Sequence, residues 1–400
     1  MGSRVIKRIE EIGEVIGGAT PSTKVPRYWD GDIPWLSPRD LTNYRYRYIS
    51  SGQRDITEEG LRSCSAQLLP KGTVLFSSRA PIGYIAIADR PLCTNQGFKS
   101  VIPREGTNSL FLFYLLKYNK PRIEGLGSGT TFKEVSASTM RAIEVEVPDT
   151  IEEQKKIAAV LDGIDSKIEL NNQINDYLAE LVSLEFETQF TDDCPRIDLG
   201  EVLSISTRSL KPQDHFGEVW EHYSIPAFDE AHWPVFELAD GIKSNKYIID
   251  YNSILVSKLN PSIKRIWIPT CVSNTAVCST EFIVYRPNNP KHKSFYNAAI
   301  NAPAFTEFLL EHITGSTGSR QRTQPKATLK YSMPNPVDVE IEAFCDYADP
   351  IYAQIKNNEL ESQILSLLRD LLLPKLMSGE IDVSKIDITQ LNNHLSDYLD

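Results

Sequence analysis

An internal repeat constrains the fold of this chain more than any other feature of its sequence. The tetrapeptide IGEV at Ile12–Val15 returns as LGEV at Leu199–Val202, 187 positions later. The run GSGTT from Gly127 is matched by GSTGS from Gly315, at an offset of 188. Self-similarity at a fixed offset is the signature of a duplicated structural unit. The sequence therefore predicts two copies of one module within its 400 residues.

Each copy ends in a long helical stretch. Apolar residues recur at spacings of mostly three and four from Ile157 to Leu184, which is typical of a helix with one apolar face. About forty residues would extend roughly 60 Å as a helix, and a helix of that length has no core of its own. The second copy keeps the pattern at the 187 offset: Ile168 aligns with Ile355, Asn171 with Asn358, Leu178 with Leu365, Leu181 with Leu368 and Leu184 with Leu371.

The two apolar stripes would most simply pack on each other as an antiparallel coiled coil, because the first helix leads directly into the second globular part. The alternative is that each helix packs on its own domain, since a stripe does not identify its partner. Asn171 and Asn358 lie near the stripes. If buried, they would set the register of the pair, whereas at a solvated seam edge they would have no such role.

The globular parts contain short apolar runs broken by Gly, Pro and Asn. GTVLFSS, IGYIAIA, SILVSK and EFIVYRP are predicted strands, and NSLFLFYLLKYN and SFYNAAINAPAFTEFLLEHI are predicted helices that pack on them. The fold class is therefore α+β, with an internal pseudo-twofold repeat. The predicted divisions are an α/β domain at 1–150, a long helix at 151–194, a second α/β domain at 195–338, a second long helix at 339–378 and a tail at 379–400.

Charge is distributed unevenly along the chain. The formal net charge is −11 and the pI is about 5.2, which argues against a protein that coats DNA by bulk attraction. Residues 20–54 nevertheless carry six Lys and Arg against three Asp. Residues 255–269 and 315–330 contain Lys and Arg but no acid. The surface is therefore expected to be segregated by sign.

Composition also limits metals and location. The six cysteines are scattered with no CxxC pair, and tetrahedral metal sites need closely spaced thiolate or imidazole pairs. We therefore expect no metal, and buried free thiols instead. No apolar run approaches the roughly 18 residues that span a bilayer. The start MGSRVIKRIEE lacks the apolar segment of a signal peptide, so a cytoplasmic location is expected.

Several matches to catalytic motifs fail on their context. DEAH at Asp229–His232 would need a Walker phosphate loop, and the chain has no GxxxxGK[ST]. Pro148-Asp149 with Glu153-Gln154-Lys155 imitates a nuclease PD…ExK, but its spacing is too short for carboxylates to converge on a metal. No Asn-Pro-Pro-aromatic motif is present, and no Ser-His-Asp or Cys-His set can be assigned. The chain is predicted to be non-catalytic.

The stretch GGATPSTKVPRYWDGDIPWLSPRDL, residues 17–41, is the most informative for function. As a phosphate cradle it lacks a helix N-terminus or a following Lys-Ser/Thr. A turn anchored by Trp29 and Trp35 explains its glycines, but not its basic and hydroxyl side chains, which are those that contact phosphates and base edges. In the NYRYRYIS run that follows, a strand would place Asn43, Arg45 and Arg47 on one face. That face would serve either DNA or solvent.

This stretch, the PIG…TNQGFK segment at Pro81–Lys99, EEQKKIAAVLDGIDSKIELNNQ and LLPKLMSGEI together resemble the specificity (HsdS) subunit of type I restriction-modification enzymes. The resemblance covers essentially the whole chain, including the repeat. The second copy departs from the pattern, because LGEV is followed by LSISTRSLKPQDHFGEVWEHYSIPAFD without a TPS…YW…IPW motif. Recognition domains of this family diverge with the sequence they read, so the departure limits the transfer of contact residues only.

The resemblance implies two target-recognition domains that each read one half of a split DNA site from the major groove, with the paired helices as a ruler. It implies two modification subunits, which carry S-adenosylmethionine and methylate adenine. It also implies two restriction subunits, which use ATP and magnesium for translocation and cleavage. This chain would hold no cofactor itself. The alternatives are a non-specific scaffold that bridges partner subunits, and a methyltransferase or nuclease in its own right.

Candidate DNA contacts are the basic, hydroxyl and amide side chains in the loops of each copy. In the first copy they are Thr20, Ser22, Lys24, Arg39, Arg45, Arg47, Ser78, Arg79, Asn95, Gln96 and Lys133. In the second copy they are Lys258, Lys264, Arg265, Arg320, Arg322 and Lys326. Each bidentate base contact would discriminate by roughly 1–3 kcal/mol, while each phosphate contact would mainly change the salt dependence.

Overall fold

The computed structural model describes residues 3–128, 133–191, 193–314 and 321–386. Contacts divide the chain into two compact units: unit 1 is Met1–Glu169 with Ile364–Asp400, and unit 2 is Leu170–Gln363. Each unit therefore contains a globular domain and a segment of both long helices. No helix in the described ranges is both long and apolar enough to cross a membrane.

Unit 1 begins with ten strands and five helices. The strands are β1 (Arg4–Arg8), β2 (Gly13–Gly17), β3 (Trp29–Leu36), β4 (Tyr48–Ile49), β5 (Arg54–Ile56), β6 (Val74–Ser78), β7 (Ile82–Ala88), β8 (Cys93–Thr94), β9 (Lys99–Pro103) and β10 (Glu144–Pro148). The helices are α1 (Ile9–Ile12), α2 (Glu58–Arg62), α3 (Ser109–Gly125), α4 (Ala137–Ala142) and α5 (Ile151–Gln189), which continues into unit 2.

The main sheet of unit 1 has five strands in the order β2-β9-β6-β7-β4. β7 pairs antiparallel with β6 and parallel with the short edge strand β4. A second sheet has the order β5-β3-β8, and β1 pairs with β10. Strand β6 is buried on both faces, because α3 covers one face and a cluster around Leu36 and Phe98 covers the other. The predicted strands GTVLFSS and IGYIAIA are confirmed.

Unit 2 repeats this layout with more irregular elements. Its strands are β11 (Arg196–Asp198), β12 (Leu203–Ser206), β13 (Ser209–Leu210), β14 (Val219–Tyr223), β15 (Val235–Leu238), β16 (Lys246–Ile248), β17 (Ile254–Ser257), β18 (Ile266–Trp267), β19 (Ala276–Ser279), β20 (Phe282–Pro287), β21 (Ile313–Thr314), β22 (Arg322–Thr323) and β23 (Ser332–Pro334). Its helices are α6 (Leu199–Val202), α7 (Ile225–Ala231), α8 (Lys293–Asn301), α9 (Pro303–Glu311), α10 (Pro325–Thr328) and α11 (Asp338–Met377), whose last part belongs to unit 1.

The sheet order confirms that the two globular parts are copies of one module. The four-stranded sheet of unit 2 has the order β12-β20-β17-β18, which matches β2-β9-β6-β7 strand for strand. Ser77 lies opposite Phe98 in unit 1, and Ser257 lies opposite Phe282 in unit 2, which fixes the register of the match. A five-stranded sheet of unit 2 has the order β13-β16-β19-β14-β15, and its parallel β14–β19 pair corresponds to the parallel β3–β8 pair.

Two sequence expectations need correction in the light of this register. The IGEV–LGEV match is wrong by three residues, because LGEV forms α6, whose structural equivalent is α1 and not Ile12–Val15. The reason is an insertion or deletion between the two copies, which shifts their alignment by three residues at this point. The helical segment after β20 is two helices and not one, since the ring of Pro303 breaks it after Ala302.

The long helices run antiparallel within each unit, as predicted. In unit 1, Ile157 and Leu161 near the start of α5 share a core with Leu373 and Leu376 near the end of α11. In unit 2, Val182 and Phe186 of α5 share a core with residues near the start of α11, such as Phe344. Each globular domain packs on both helices, so the alternative in which each helix serves only its own domain is wrong.

The seam between the helices contains polar residues. Asn171 is 1 % exposed and donates from Nδ2 to Ser362 Oγ at 3.2 Å, and Asn358 is 6 % exposed and donates to Asn175 Oδ1 at 2.7 Å. These asparagines are buried partners and not solvated edge residues. Leu181 and Leu184, which the sequence pattern assigned to the seam, are 46 % and 61 % exposed. The seam drifts around the helix at 3.6 residues per turn, and Val182 and Phe186 replace them.

Candidate nucleic-acid interface

Two tryptophans hold the 17–25 loop of unit 1 on the second sheet. The Trp35 indole Nε1 donates to the carbonyl of Ala19 at 2.9 Å, and the Trp29 indole donates to the carbonyl of Ser22 at 3.2 Å. The two rings pack edge to face at 5.1 Å and are buried. The interpretation of Trp29 and Trp35 as loop anchors is therefore confirmed. The hydroxyl and basic side chains of this loop remain on its outer side, where Ser22 and Lys24 are exposed.

The TNQG turn lies directly against this loop. The amide of Ala19 donates to the carbonyl of Thr94 at 2.9 Å, and Thr20 Oγ1 donates to Gln96 Oε1. A Cβ added to Gly18 would lie 2.1 Å from the carbonyl oxygen of Asn95, so only glycine permits this approach. Thr20 thus forms one surface with Asn95 and Gln96, although Thr20 and Gln96 are 76 residues apart in sequence.

An ion-pair cluster connects the same turn to the hairpin that follows α3. Glu134 pairs with Arg79 at 3.3 Å and with Lys99 at 3.2 Å. The Lys99 ammonium also donates to the carbonyl of Gln96 at 3.3 Å. Lys133 is exposed beside Glu134. The cluster therefore brings together the three segments that carry Arg79, Gln96 and Glu134, at the point where β6 ends and β9 begins.

The corresponding loops of unit 2 contain an ion pair of opposite polarity. The amide of Lys258 donates to the carbonyl of Glu281 at 3.0 Å, and the amide of Thr323 donates to the carbonyl of Lys258 at 3.0 Å. The carboxylate of Glu281 pairs with Arg322 at 3.1 Å. Here the acid lies in the turn before β20 and the cation is Arg322, whereas in unit 1 the position equivalent to Arg322 is the acid Glu134. The two groups of loops thus share a layout but present different electrostatic surfaces.

Most of the candidate contact residues are exposed or half-buried. The exposed ones are Ser22, Lys24, Arg39, Arg45, Gln96, Lys133, Lys264, Arg322 and Lys326, and the half-buried ones are Thr20, Arg79, Asn95 and Lys258. Pro38, which precedes Arg39, packs against Gly97 of the TNQG turn. Lys264 lies apart from the Lys258 cluster and donates to the carbonyl of Asn301 at 2.7 Å. Arg320 lies outside the described residues.

The alternating NYRYRYIS pattern predicted a strand with Arg47 on one face, facing either DNA or solvent. The structure shows instead that Arg47 is buried. Residues 43–46 form no strand, and β4 contains only Tyr48 and Ile49. The Arg47 side chain is 7 % exposed and binds the start of α5 through Asp162 and Glu169, the latter at 3.0 Å. Burial disfavours its charge, but the hydrogen bond to Glu169 and the neighbouring acids outweigh this and raise its pKa. Its role is to attach the globular domain to the helix.

Ser78 and Arg265 are also buried and turned inward. Ser78 is fully buried, and its hydroxyl donates to the carbonyl of Gly97 at 3.1 Å, so it shapes the TNQG turn from below. Arg265 is 8 % exposed and forms a two-pronged ion pair with Asp229, at 2.6 and 2.8 Å. Asp229 is the first residue of the DEAH sequence, which thus has a structural use.

Sequence reasoning missed Lys99 and Glu134, which organise the loops of unit 1. Lys99 gave no signal because it belongs to strand β9. Glu134 gave none because it follows a polar segment without a recognisable motif. Only the register of the turn against the hairpin brings them together. Glu281 in unit 2 gave no signal for the same reason.

The chain is similar to several known proteins. Residues 4–180 match the sequence model of the type I restriction modification DNA specificity domain. The chain is 34 % identical to the type I restriction enzyme MjaIX specificity subunit of Methanocaldococcus jannaschii, over 95 % of this chain and 94 % of that protein. It is 28 % identical to the EcoR124I/EcoR124II specificity subunit of Escherichia coli, over 44 % of each chain.

A solved structure agrees with these relatives at the level of the fold. The type I restriction-modification S subunit from M. genitalium has a TM-score of 0.53 and 17 % sequence identity, and the match covers 94 % of this chain and 96 % of that one. Identity to the archaeal protein extends across both recognition units and both long helices. The chain therefore belongs to the family of type I restriction enzyme specificity subunits, which is a non-catalytic class of subunit.

Proposed function

We propose that this chain selects the DNA sequence for a type I restriction-modification complex by reading a split site, one half with each recognition unit. The observation that carries the proposal is a group of loops that occurs in both units, where β6 ends and β9 begins in unit 1 and where β17 ends and β20 begins in unit 2. Both units place basic and polar loops at the same end of corresponding strands, but the residues in these loops differ. A shared scaffold with different contact residues is what two different half-sites require. The antiparallel helices would set the distance between the half-sites.

The exposed cations would make the first contacts. Lys24, Arg39 and Arg45 are exposed on two loops of unit 1, and Gln96 is connected through Lys99 to Glu134. Arg can bind guanine edges with two parallel hydrogen bonds, and Gln can do the same with adenine. Lys and Arg at the loop margins would contact phosphates and fix the orientation. The acidic net charge would then limit binding to these surfaces.

The long helices carry two equivalent exposed apolar stripes that we assign to partner docking. In unit 2, Tyr177, Leu181 and Leu184 of α5 are 71 %, 46 % and 61 % exposed. In unit 1, the residues at the 187 offset on α11 are Ile364, Leu368 and Leu371, which are 59 %, 42 % and 60 % exposed. Exposed apolar stripes of this kind mark protein interfaces. Because the stripe occurs twice in equivalent form, it would bind two copies of one partner, the modification subunit.

Chemistry in the assembled complex would belong to the partners. The modification subunits would bind S-adenosylmethionine and methylate adenine at the selected site. Two restriction subunits would use ATP and magnesium for translocation and cleavage. This chain would supply sequence choice and the assembly surfaces.

The function is tested by mapping N6-methyladenine across the host genome with and without the gene. We expect deletion to remove methylation from one split motif. In binding assays with the modification subunit, Arg39→Ala and Arg45→Ala should each lower the salt slope of DNA affinity by about 1. Arg62→Ala is the matched control, since Arg62 is exposed on α2 and pairs with Glu58. An unchanged methylation map, together with equal affinity for specific and random duplexes, would instead identify a non-specific scaffold.

The docking assignment is tested separately from DNA recognition. Replacing Leu181 and Leu184 by Glu should remove one of two bound modification subunits, and the same change at Leu368 and Leu371 should remove the other. Gln189→Glu is the control, because Gln189 is exposed on α5 and lies on a different face of the helix from Tyr177, Leu181 and Leu184. The number of bound subunits can be counted by native mass spectrometry. Retention of both subunits in the combined variant would refute the assignment.

A further inference from the structure

Unit 2 contains a half-open cavity of about 290 Å³. Edge residues Ile266 and Ile268 form one wall, α8 contributes Lys293, and α11 contributes Tyr352 and Lys356. Small-molecule sites usually measure about 300–1,000 Å³. The cavity therefore has the size for one or two side chains and is small for a cofactor.

The cavity occupies the place that the Arg47 segment fills in unit 1. Leu75 lies opposite Ala86 in unit 1, and Leu255 lies opposite Trp267 in unit 2, so Ile268 is the equivalent of Ile87. The amide of Ile87 donates to the carbonyl of Arg47 at 2.7 Å, and β4 continues along this edge.

In unit 2 the same sheet edge is open. β18 is the last strand of its sheet, and within the described residues the backbone of Ile268 has no hydrogen-bond partner. The Ser257 amide donates to the carbonyl of Arg265 at 2.9 Å on the inner side of the hairpin, so alternation directs the Ile268 amide outward. An unpaired edge of this kind is a template for adding a strand.

The charge that faces this edge is inverted between the two units. Arg47 binds Asp162, Ser166 and Glu169 on α5. The helix positions at the 187 offset are Asp349, Ala353 and Lys356 on α11. Glu169, the more buried of the two carboxylates that bind Arg47, is thus replaced by Lys356 in unit 2. The unit 2 position therefore favours an acidic side chain, whereas unit 1 holds the basic Arg47.

Two cations in the cavity are hydrogen-bonded but not neutralised. Lys356 Nζ donates to the carbonyl of Thr270 at 2.8 Å, and Lys293 donates to the carbonyl of Tyr251. Neither has a carboxylate within ion-pair distance among the described residues. Glu359, the acid that lines the cavity, is engaged by His232 at 3.2 Å. Burial lowers the pKa of Lys293 to about 8, and the neighbouring Asp250 and Asp349 offset this only in part.

We propose that this cavity binds an extended peptide segment of a partner protein, which pairs with the Ile268 edge and places an acidic side chain between Lys293 and Lys356. The segment is the counterpart in trans of residues 45–49, with the sign of the central charge reversed. Backbone hydrogen bonds would give affinity, and the charge would select the residue. The proposal does not depend on DNA recognition and concerns a surface away from the Lys258 cluster.

Acetylated heptapeptides based on residues 44–50 test the proposal on the full chain. We expect the peptide YRYEYIS, which has Glu in the place of Arg47, to bind about tenfold more tightly than YRYRYIS, since roughly 1.4 kcal/mol of charge discrimination corresponds to a factor of ten. Lys356→Glu should reverse the preference. Hydrogen exchange with the YRYEYIS peptide bound should show new protection at the Ile268 amide. Fluorescence polarisation of labelled peptides measures the affinities.

Two controls keep the test independent of folding. Lys293→Met removes one charge without touching the Ile268 edge, and it should weaken the Glu peptide more than the Arg peptide. Free glutamate at the same concentration should not protect the Ile268 amide, and protection by it would show that the cavity takes a small anion and not a peptide. Equal affinity of both peptides for the wild-type chain, or no new protection at Ile268, would overturn the proposal.

Discussion

Replacing Arg47 by Met should loosen unit 1 by about 3 kcal/mol while leaving unit 2 unchanged. Arg47 binds α5 through Glu169, Asp162 and the hydroxyl of Ser166, and its side chain is 7 % exposed. Met keeps most of the apolar stem but leaves two carboxylates without their cation. Removal of one partner from a buried ion pair typically costs about 3–5 kcal/mol.

The lower end of that range applies here because the acids differ in burial. The Glu169 side chain is 17 % exposed, whereas the Asp162 side chain is 34 % exposed and can regain water. The penalty of the orphaned charge therefore falls mainly on Glu169. Adding Glu169→Gln to Arg47→Met should recover part of the loss, since it removes the stranded charge.

Hydrogen exchange measures this effect unit by unit, which matters because a chain with two units need not unfold in one step. A loss of about 3 kcal/mol in the opening free energy speeds exchange by roughly 100-fold, at 1.36 kcal/mol per factor of ten. The change should appear in β4 and in α5 near Glu169. Peptides of unit 2 serve as the internal reference.

Arg45→Met is the matched control, because Arg45 is exposed two residues away. Surface substitutions of this kind usually change stability by less than about 0.5 kcal/mol. If Arg47→Met accelerates exchange less than about fivefold, or if Arg45→Met has the same effect, the attachment of the domain through Arg47 is refuted.

Three further outcomes are expected. Asn171→Leu should raise the melting temperature by about 2–4 °C in a thermal scan, because the Asn171 Oδ1 is buried without a partner and a polar seam residue costs stability; a lower melting temperature would contradict this. Trp35→Phe removes the indole hydrogen bond to Ala19 and should weaken DNA binding by about 1 kcal/mol without changing the preferred sequence; an altered preference would show a direct role for Trp35. Burial alone would raise the pKa of Asp165, but Lys117, Arg369 and the hydroxyl of Tyr114 lower it, so its contribution to stability is present above about pH 4 and lost as the pH falls. Asp165→Asn should remove that part of the acid dependence in denaturation followed by circular dichroism.

The repetitive features of the fold could be predicted from the sequence. Strand β6, the long helices and their antiparallel pairing follow from apolar periodicity, which local sequence records directly. The equivalence of β3 and β14 could not be found in this way, because WDGDIPWL and VWEHY share almost no residues. What the two strands share is a parallel partner and a following Ser that begins a short helical segment, Ser37 and Ser224.

The candidate site was less accessible to sequence reasoning, for a physical reason. Alternation predicts which side chains share a face of a strand, but not whether that face meets water or another element. Arg45 and Arg47 illustrate this, since one is exposed and the other is bound to a helix more than 100 residues away. The basic composition of residues 20–54 predicted a contact region, and only tertiary contacts showed that Arg47 attaches the domain to α5 instead.

The two units show that one scaffold accepts an ion pair of either polarity at the same place. In unit 1, Glu134 pairs with Arg79. In unit 2 the equivalent of Glu134 is Arg322, which pairs with Glu281, so the polarity of the ion pair is reversed. Such partly exposed pairs contribute only about 0–1 kcal/mol each, so either polarity is compatible with the same apolar core. The charges of the loops can therefore differ between the units without any change in the sheets that hold them, as the proposed reading of two different half-sites requires.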